Sequence, residues 1–535
     1  MVDHGEFDYI IVGAGSAGSL LANRLTQNPN NHVLLLEAGA KDDYIWVHIP
    51  VGYLYCIDNP RTDWQFKTDP IKGLHERSLL YPRGKILGGS SSINGMIYMR
   101  GQSQDFDDWA IKTGESDWSW PATLERYKKF ENYYGGNNEW HGTAGEWHVS
   151  QQRLNWRILE QFKNAAIQAG VPEVKDFNQG NNLGVGYFDV NQKDGWRLNT
   201  SKAFLKKASK RPNLTMITGA YVDHVEIDPA SKRCTGIHFI GGGHSHSATC
   251  SKEILLSAGS IGSVQILERS GIGQGPRLQE LGIPVIHDLP GVGENLQDHL
   301  QLRMIFQVSG IKTLNTIANH WLGKAKIGLE YLLKRSGPMS MAPSQLGLFT
   351  MSSAEHSRPN LQYHVQPLSL DRFGEDLHPF NAFTASVCNL RPTSRGSVHI
   401  TSRDVMAKPS INPNYLSTTE DQQVAAQAIR ITRSIVSQPA LQPYTPIEIK
   451  PGVSFQTEDE LIHSAGDIGT TIFHPVGTCK MGSKNDPLAV LDSDLRVKGI
   501  LGLRVVDASV MPNITSGNTA APTMMIAERV ASLLK

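Results

Sequence analysis

Residues 8–37 constrain the fold of this 535-residue chain more than any other stretch. An apolar, β-rich run, Tyr9-Ile10-Ile11-Val12, leads into three spaced glycines, Gly13, Gly15 and Gly18. An amphipathic segment follows with Leu20, Leu21 and Leu25 on one face, and a second apolar run, Val33 to Leu36, ends in Glu37. The order predicts strand, tight turn, helix, strand, acid. Such a turn sets backbone N–H groups and the positive end of a helix dipole against a pyrophosphate. Glu37 can accept hydrogen bonds from a ribose diol, and its charge opposes a 2′-phosphate. A glycine triplet alone is weak evidence; in this complete context it predicts a bound adenine dinucleotide.

The length exceeds one hydrophobic core, so two or three domains are expected. Fifty-one basic residues balance fifty-one acidic ones, which leaves no electrostatic footprint for nucleic acid. Five scattered cysteines (Cys56, Cys234, Cys250, Cys388, Cys479) form no CxxC pair. They read as a reduced compartment without a disulfide framework. The first strand is expected from about Phe7, leaving no room for a signal peptide, and no apolar run reaches the roughly 18 residues of a membrane span. A cytoplasmic location is expected. Residues 316–335 mix Trp321, Leu322, Ile327, Leu329 and Leu332 with Lys324, Lys326, Lys334 and Arg335. This basic amphipathic helix is read as core-facing in preference to lying on the inner face of a membrane.

Alternating strand-like and helix-like segments near both ends favour an α/β core. Further strands are expected at 214–218, 220–227, 253–257 and 503–506, and a C-terminal helix at 523–534. The middle, with alternating patterns at 360–365, 382–390 and 397–401, fits an antiparallel sheet with one covered face. The expected fold is α/β: a discontinuous Rossmann-like nucleotide domain (1–155, 190–304, 471–535) with an inserted antiparallel-sheet-plus-helix substrate domain (156–189, 305–470).

Two further segments stand out. Arg83-Gly84-Lys85-Ile86-Leu87-Gly88-Gly89-Ser90-Ser91-Ser92-Ile93-Asn94-Gly95 offers many N–H and O–H donors with two cations. It reads equally as a mobile loop or as backbone laid against a cofactor diphosphate. Near the C-terminus, Phe473-His474-Pro475 places a histidine in a rigid, extended corner. A neutral imidazole there can take a proton at physiological pH. Asn518, beside Gly517, offers both a donor and an acceptor, as many turn residues do. His244 and His246 read as a solvated hairpin tip, not a metal site, and no metal is expected. Asp298-His299 reads as structural, with His299 bonding a backbone group. Asp105, Asp107 and Asp108 read as a solvated helix start.

The chain resembles the glucose–methanol–choline (GMC) oxidoreductases across essentially its whole length. Six blocks carry the resemblance in order: the N-terminal glycine fingerprint, RGKILGGSSSIN, Ala258-Gly259-Ser260-Ile261-Gly262-Ser263 leading to Ser270-Gly271-Ile272-Gly273, Val292 to His299, HPVGTCKMG, and NTAAPTMMIAER. It looks nearest to the choline-dehydrogenase-like alcohol dehydrogenases. The resemblance implies FAD and oxidation of an alcohol. It assigns Gly13, Gly15, Ser16, Ala17, Gly18, Glu37 and Ala38 to the ADP half, and Arg83, Leu87, Gly89, Ser90, Asn94 and Gly95 to the diphosphate and flavin. Val222 would meet adenine. Ala258, Gly259, Asp507, Ala508, Asn518 and Thr519 would also contact the cofactor. His474 falls at the catalytic histidine and Asn518 at the second catalytic position.

Two departures matter. Ile93 stands where some members carry a flavin-linked histidine, so FAD is expected to be non-covalent. Gln345 stands where choline oxidisers resemble one another in a glutamate facing the ammonium group, which makes choline a poor substrate here. Val264 replaces a usual proline, a matter of turn rigidity. The expected reaction takes hydride from a primary, uncharged aliphatic or aromatic alcohol, held by Gln345, His474 and Asn518, with His474 as base. The rest of the pocket is expected from the Trp321 region and residues 339–348. Electrons are expected to pass to a quinone or carrier, with O2 the alternative. A nicotinamide dehydrogenase and a non-redox, flavin-housing lyase are the competing readings.

Overall fold

A computed structural model describes residues 1–371 and 375–534. The first sheet runs in the order 214–218, 33–37, 2–12, 244–256, 233–241, 221–228, with strand Leu503–Val505 joined to His244–Leu256. Strands 2–12, 33–37 and 214–218 are mutually parallel, as are 2–12, 244–256 and 503–505. The remaining two strands add an antiparallel hairpin extension. Val33–Glu37 is buried at every position, which suits an interior parallel strand covered on both faces. Helix Ser16–Leu25 leaves the glycine turn and packs on the C-terminal helix Ala520–Leu533. The Arg24 Nε donates to Glu528 across that contact at 2.8 Å. The chain's two ends are thereby joined in one core.

The second sheet is antiparallel, in the order 447–450, 300–307, 382–389, 361–366, 346–350, 184–187, with 469–471 beside 300–307. One face carries Leu302, Met304, Leu348, Val365 and Val387 into a core shared with helices Arg157–Gln168, Thr419–Val436 and Glu458–Ile468. The alternate residues face a cavity between the two sheets.

Several expectations need correction. The first strand begins at Val2, paired with His246, because the long strand Val2–Val12 continues past the nucleotide turn's own sheet partners. Strand Leu300–Gln307 belongs wholly to the second sheet, so a boundary after 304 would cut it. Val398 and Ile411 pack into the first core, not the second. Asp105 is buried: its carboxylate accepts from Ser516 N (2.7 Å) and Ser516 Oγ (2.9 Å), which fold back onto the helix start.

The helix at 316–335 breaks into Leu314–Ala318 and Trp321–Lys334; Ile317, Ala318 and Ile327 pack on the second core, but the leucine stripe does not. Trp321 is 76% exposed and Leu333 71%, with Leu322, Leu329 and Leu332 also in solvent. It rests on the body through Tyr331, whose hydroxyl donates to Gly195 O at 3.0 Å. Periodicity reveals a stripe but not what covers it. No helix among the described residues is long and apolar enough to cross a membrane. All five cysteines are buried and free.

Candidate active site

A cavity of about 1480 Å³ lies between the sheets. It exceeds the roughly 300–1,000 Å³ usual for one drug-sized ligand, so it has room for a dinucleotide and a second molecule. At one end the wall comes from Gly13, Gly15, Ser16, Ala17, Glu37 and Ala38. Arg83, Gly89, Ser90, Asn94, Gly95, Val222, Ala258, Gly259, Asp507, Ala508 and Thr519 continue it toward His474 and Asn518. Gly89 has φ of 52°, and a Cβ there would lie 2.7 Å from the Gly15 Cα, so the two glycine loops touch. Gly18 is not part of the wall. A Cβ on it would meet the Gly13 carbonyl oxygen at 1.9 Å, so its role is close packing of helix on turn.

Glu37 holds the turn's shape as well as facing the cavity. Its two oxygens accept from Ala14 N and Gly39 N, each at 2.8 Å. Burial pushes its carboxyl up to about 7. Asp507 accepts from Gly259 N (2.8 Å) and Ser263 Oγ (2.6 Å), which ties the C-terminal segment to the Ala258-Gly259 turn. Burial raises this carboxyl too. Leu87 differs from expectation: it is buried away from the cavity, with its N–H given to Ala40 O at 3.0 Å. Its apolar side chain joins the first core instead.

At the far end, His474 sits between two partners. Its Nδ1 lies 3.1 Å from the Nδ1 of His299, and its Nε2 lies 3.1 Å from the Nδ2 of Asn518. The Nε2 of His299 lies 3.2 Å from the Leu390 carbonyl oxygen, which can only accept. That end fixes every proton in the chain. His299 carries its hydrogen on Nε2, so its Nδ1 accepts from the Nδ1–H of His474. The His474 Nε2 therefore presents a lone pair toward the Asn518 amide and the cavity.

Asp298 anchors both imidazoles. Its carboxylate accepts from the backbone N–H of His299 (2.9 Å) and of His474 (2.8 Å). Tyr81 (2.9 Å), Tyr415 (2.5 Å) and Thr471 (2.6 Å) donate their hydroxyls to it as well. Arg83 Nη2 donates to the Phe473 carbonyl at 2.5 Å and secures the corner before His474. Asn518 Oδ1 in turn accepts from Gln362 at 3.4 Å, and the buried Asp105 holds Ser516 two residues upstream. Burial, then His299, His364 and Arg83, hold the His474 pKa well below its ordinary value. Burial takes His299 down to about 4 and His364 down to about 3. All three imidazoles are neutral near pH 7, so His474 can act as a base.

Gln345 is the clearest miss. It is fully buried, gives its Nε2 to Ala342 O at 2.5 Å and does not line the cavity. The chain turns back on itself just before strand Leu346–Thr350, and Pro343 and Ser344 form the wall instead. Trp321 contributes nothing to the cavity either. Residues that sequence reasoning passed over include Asp298 as anchor, His299 as partner of His474, Tyr81, Tyr415, Asp105 and Arg303. The adjacent pair Asp298-His299 was the one available signal. His75, His463 and Asp467, the last of them at the cavity's border, lie close enough to share an ion, but all three are exposed.

GMC oxidoreductase family models match residues 7–301 and 392–527. The chain belongs to the GMC oxidoreductase family. Among its relatives, an oxygen-dependent choline dehydrogenase from Klebsiella pneumoniae is 42% identical over 99% of this chain and 96% of its own length. An alcohol dehydrogenase [acceptor] from Pseudomonas putida is 40% identical over 99% of this chain and 95% of its own. The pyridoxine 4-oxidase structure from Mesorbium loti superposes with a TM-score of 0.89 at 29% identity, covering 98% of this chain and 99% of that one. A formate oxidase structure gives 0.93 at 26% identity, covering 100% and 99%.

FAD is the cofactor of this GMC oxidoreductase. The donor set fits it: two touching glycine loops and a helix N-terminus suit the diphosphate, and Glu37 suits the ribose diol. Ile93 borders the cavity and offers no nucleophile for a covalent link.

Proposed function

We propose that this GMC oxidoreductase oxidises a primary alcohol to the aldehyde, with His474 as general base and Asn518 as the group that holds the reacting oxygen. One observation carries this reading: the His474 Nε2 lone pair and the Asn518 amide lie 3.1 Å apart at the cavity wall. A hydroxyl entering between them would donate to Nε2 and accept from Nδ2. As the O–H proton moves to Nε2, charge on oxygen favours loss of hydride from the adjacent carbon. FAD, when bound, supplies the hydride acceptor. His299 and Asp298 hold the imidazole in the tautomer and orientation that this transfer requires.

The test is anaerobic mixing of the holoenzyme with a panel of alcohols, followed by the visible flavin band. Bleaching that depends on alcohol supports the reading. An unchanged spectrum with every alcohol removes it in favour of a non-redox role. Turnover that requires added NAD would favour a nicotinamide enzyme.

A separate observation favours a membrane-side acceptor such as a quinone. At about 100° per residue, Trp321, Leu322, Ala325, Leu329, Leu332 and Leu333 share one arc of about 120° on helix Trp321–Lys334. That arc faces solvent, and Lys324 and Lys326 flank it on opposite sides. An anionic bilayer surface matches both the stripe and its basic borders. Co-sedimentation with phosphatidylglycerol vesicles should be salt-sensitive and should fail in a Trp321→Ser/Leu329→Ser variant. Binding that survives both serines would reject this face.

A further inference from the structure

Strand Leu300–Gln307 sends Leu300, Leu302, Met304 and Phe306 into the second core. The other face therefore carries His299, Gln301, Arg303 and Ile305 in line, and the last three border the cavity. Across the sheet, Arg303 stands in register with Ser386, and Ser386 with His364. Two strand spacings, about 10 Å of backbone, thus separate Arg303 from His364 beside the catalytic pair.

The other cavity arginines are occupied. Arg83 serves Phe473 O, Arg77 reaches Gly466 O and Gly469 O, and Arg269 holds the backbone of Val222 and Asp223. The cavity's acids are engaged too: Asp371 with Lys450, Asp467 with His75, Glu37 and Asp507 with backbone and hydroxyl donors, and Glu375, the remaining acid on the wall, is not free either. Arg303 has neither hydrogen bond nor ion pair among the described residues. The one ionisable side chain found to act on it is the Tyr53 phenol. A guanidinium is charged at every working pH, and leaving it desolvated without a counter-charge is costly. Its planar fork matches a carboxylate.

We propose that Arg303 is the recognition site for a carboxylate at the far end of the alcohol, so that the preferred substrates are hydroxycarboxylates whose hydroxyl reaches His474. This rests on the alcohol-oxidising reading above and narrows it. It replaces the expectation of an uncharged substrate: of the wall expected from the Trp321 region and residues 339–348, Pro343 and Ser344 border the cavity, whereas Trp321 and Gln345 do not. It also sets this chain apart from relatives named for choline, because a quaternary ammonium would meet Arg303 with like charge.

The experiment compares kcat/KM for ω-hydroxycarboxylates of increasing length, the diols of matched length, and choline. Wild-type holoenzyme is expected to favour the best hydroxycarboxylate over its diol by about 10- to 100-fold, the range for a charged hydrogen-bonded pair. Arg303→Leu should bring that ratio near one, and Arg303→Lys should retain part of it. If Arg303→Leu does not fold, Arg303→Gln provides the same reading of the ratio. Wild-type enzyme that shows no preference for the acid, or a preference that survives loss of the guanidinium, overturns the proposal. So does partial loss of FAD on Arg303→Leu with the ratio unchanged in the fraction that retains it, which would make the cofactor the partner. Oxidation of diols without any acid preference would leave the alcohol reading standing, whereas oxidation of nothing would sink both.

Discussion

The two ends of the cavity are built differently. The nucleotide end comes from short contiguous pieces: the turn at 13–18, the acid at the end of the next strand, and a second glycine loop laid against the first. The end proposed to be catalytic has no contiguous piece. His299 and His474 are 175 residues apart in the chain, Asn518 and His474 are 44 apart, and Asp298 gathers Tyr81, Tyr415 and Thr471 from three other segments. Holding a diphosphate needs backbone shape, which neighbouring residues can supply. Orienting a base needs converging side chains, which only the packed tertiary structure supplies.

The comparison can be broken most forcefully at His474. His474→Ala should slow flavin reduction by alcohol about 10²- to 10⁴-fold in anaerobic stopped flow while the visible spectrum of bound FAD persists. Loss of the cofactor instead would show that the two ends are not separable. In the wild type, the acid limb of the same rate should lie well below pH 6.5, because burial, then His299, His364 and Arg83, favour the neutral imidazole. A limb at or above 6.5 would contradict the buried, base-ready geometry.

His299 sharpens the comparison, because it acts through His474 and touches no reactant. His299→Leu should lower kcat about 10- to 100-fold with KM little changed, and His299→Gln, which restores an acceptor for Nδ1–H, should recover part of the loss. Equal damage from both variants would mean simple packing.

The smallest effect belongs to the nucleotide end. Glu37 has its carboxyl raised to about 7 in the folded protein, against about 4.3 in an unfolded chain. Between those values the unfolded state binds fewer protons, so stability falls as pH rises through that window and then levels off. Deflavinated wild type should lose a few degrees of melting temperature from pH 5 to 7.5 relative to Glu37→Gln. Parallel curves for the two would remove Glu37 as the source.

Legibility followed the same division. The glycine fingerprint, Glu37, and the pair His474 and Asn518 could be read from residues and family resemblance, and most strands lie where alternation placed them. What failed depended on distant partners. Nothing near Gln345 shows that its amide turns back to Ala342, and nothing near Asp105 shows that Ser516 folds onto it. For Arg303 neither the strand, which the expected boundary after 304 divides, nor the absence of a counter-charge was legible, since the latter requires knowing every neighbour across the sheet. The helix at 321–334 showed its stripe plainly, yet periodicity is blind to which side water occupies.

The proton positions along the two imidazoles end at the oxygen of Leu390, a main-chain atom. Replacement of that leucine changes the side chain and leaves the peptide carbonyl in place. The setting of the proposed base is thus beyond the direct reach of point substitution at its own terminus, and drift in the surrounding sequence can reshape the pocket while the polarity of the imidazole pair stays put.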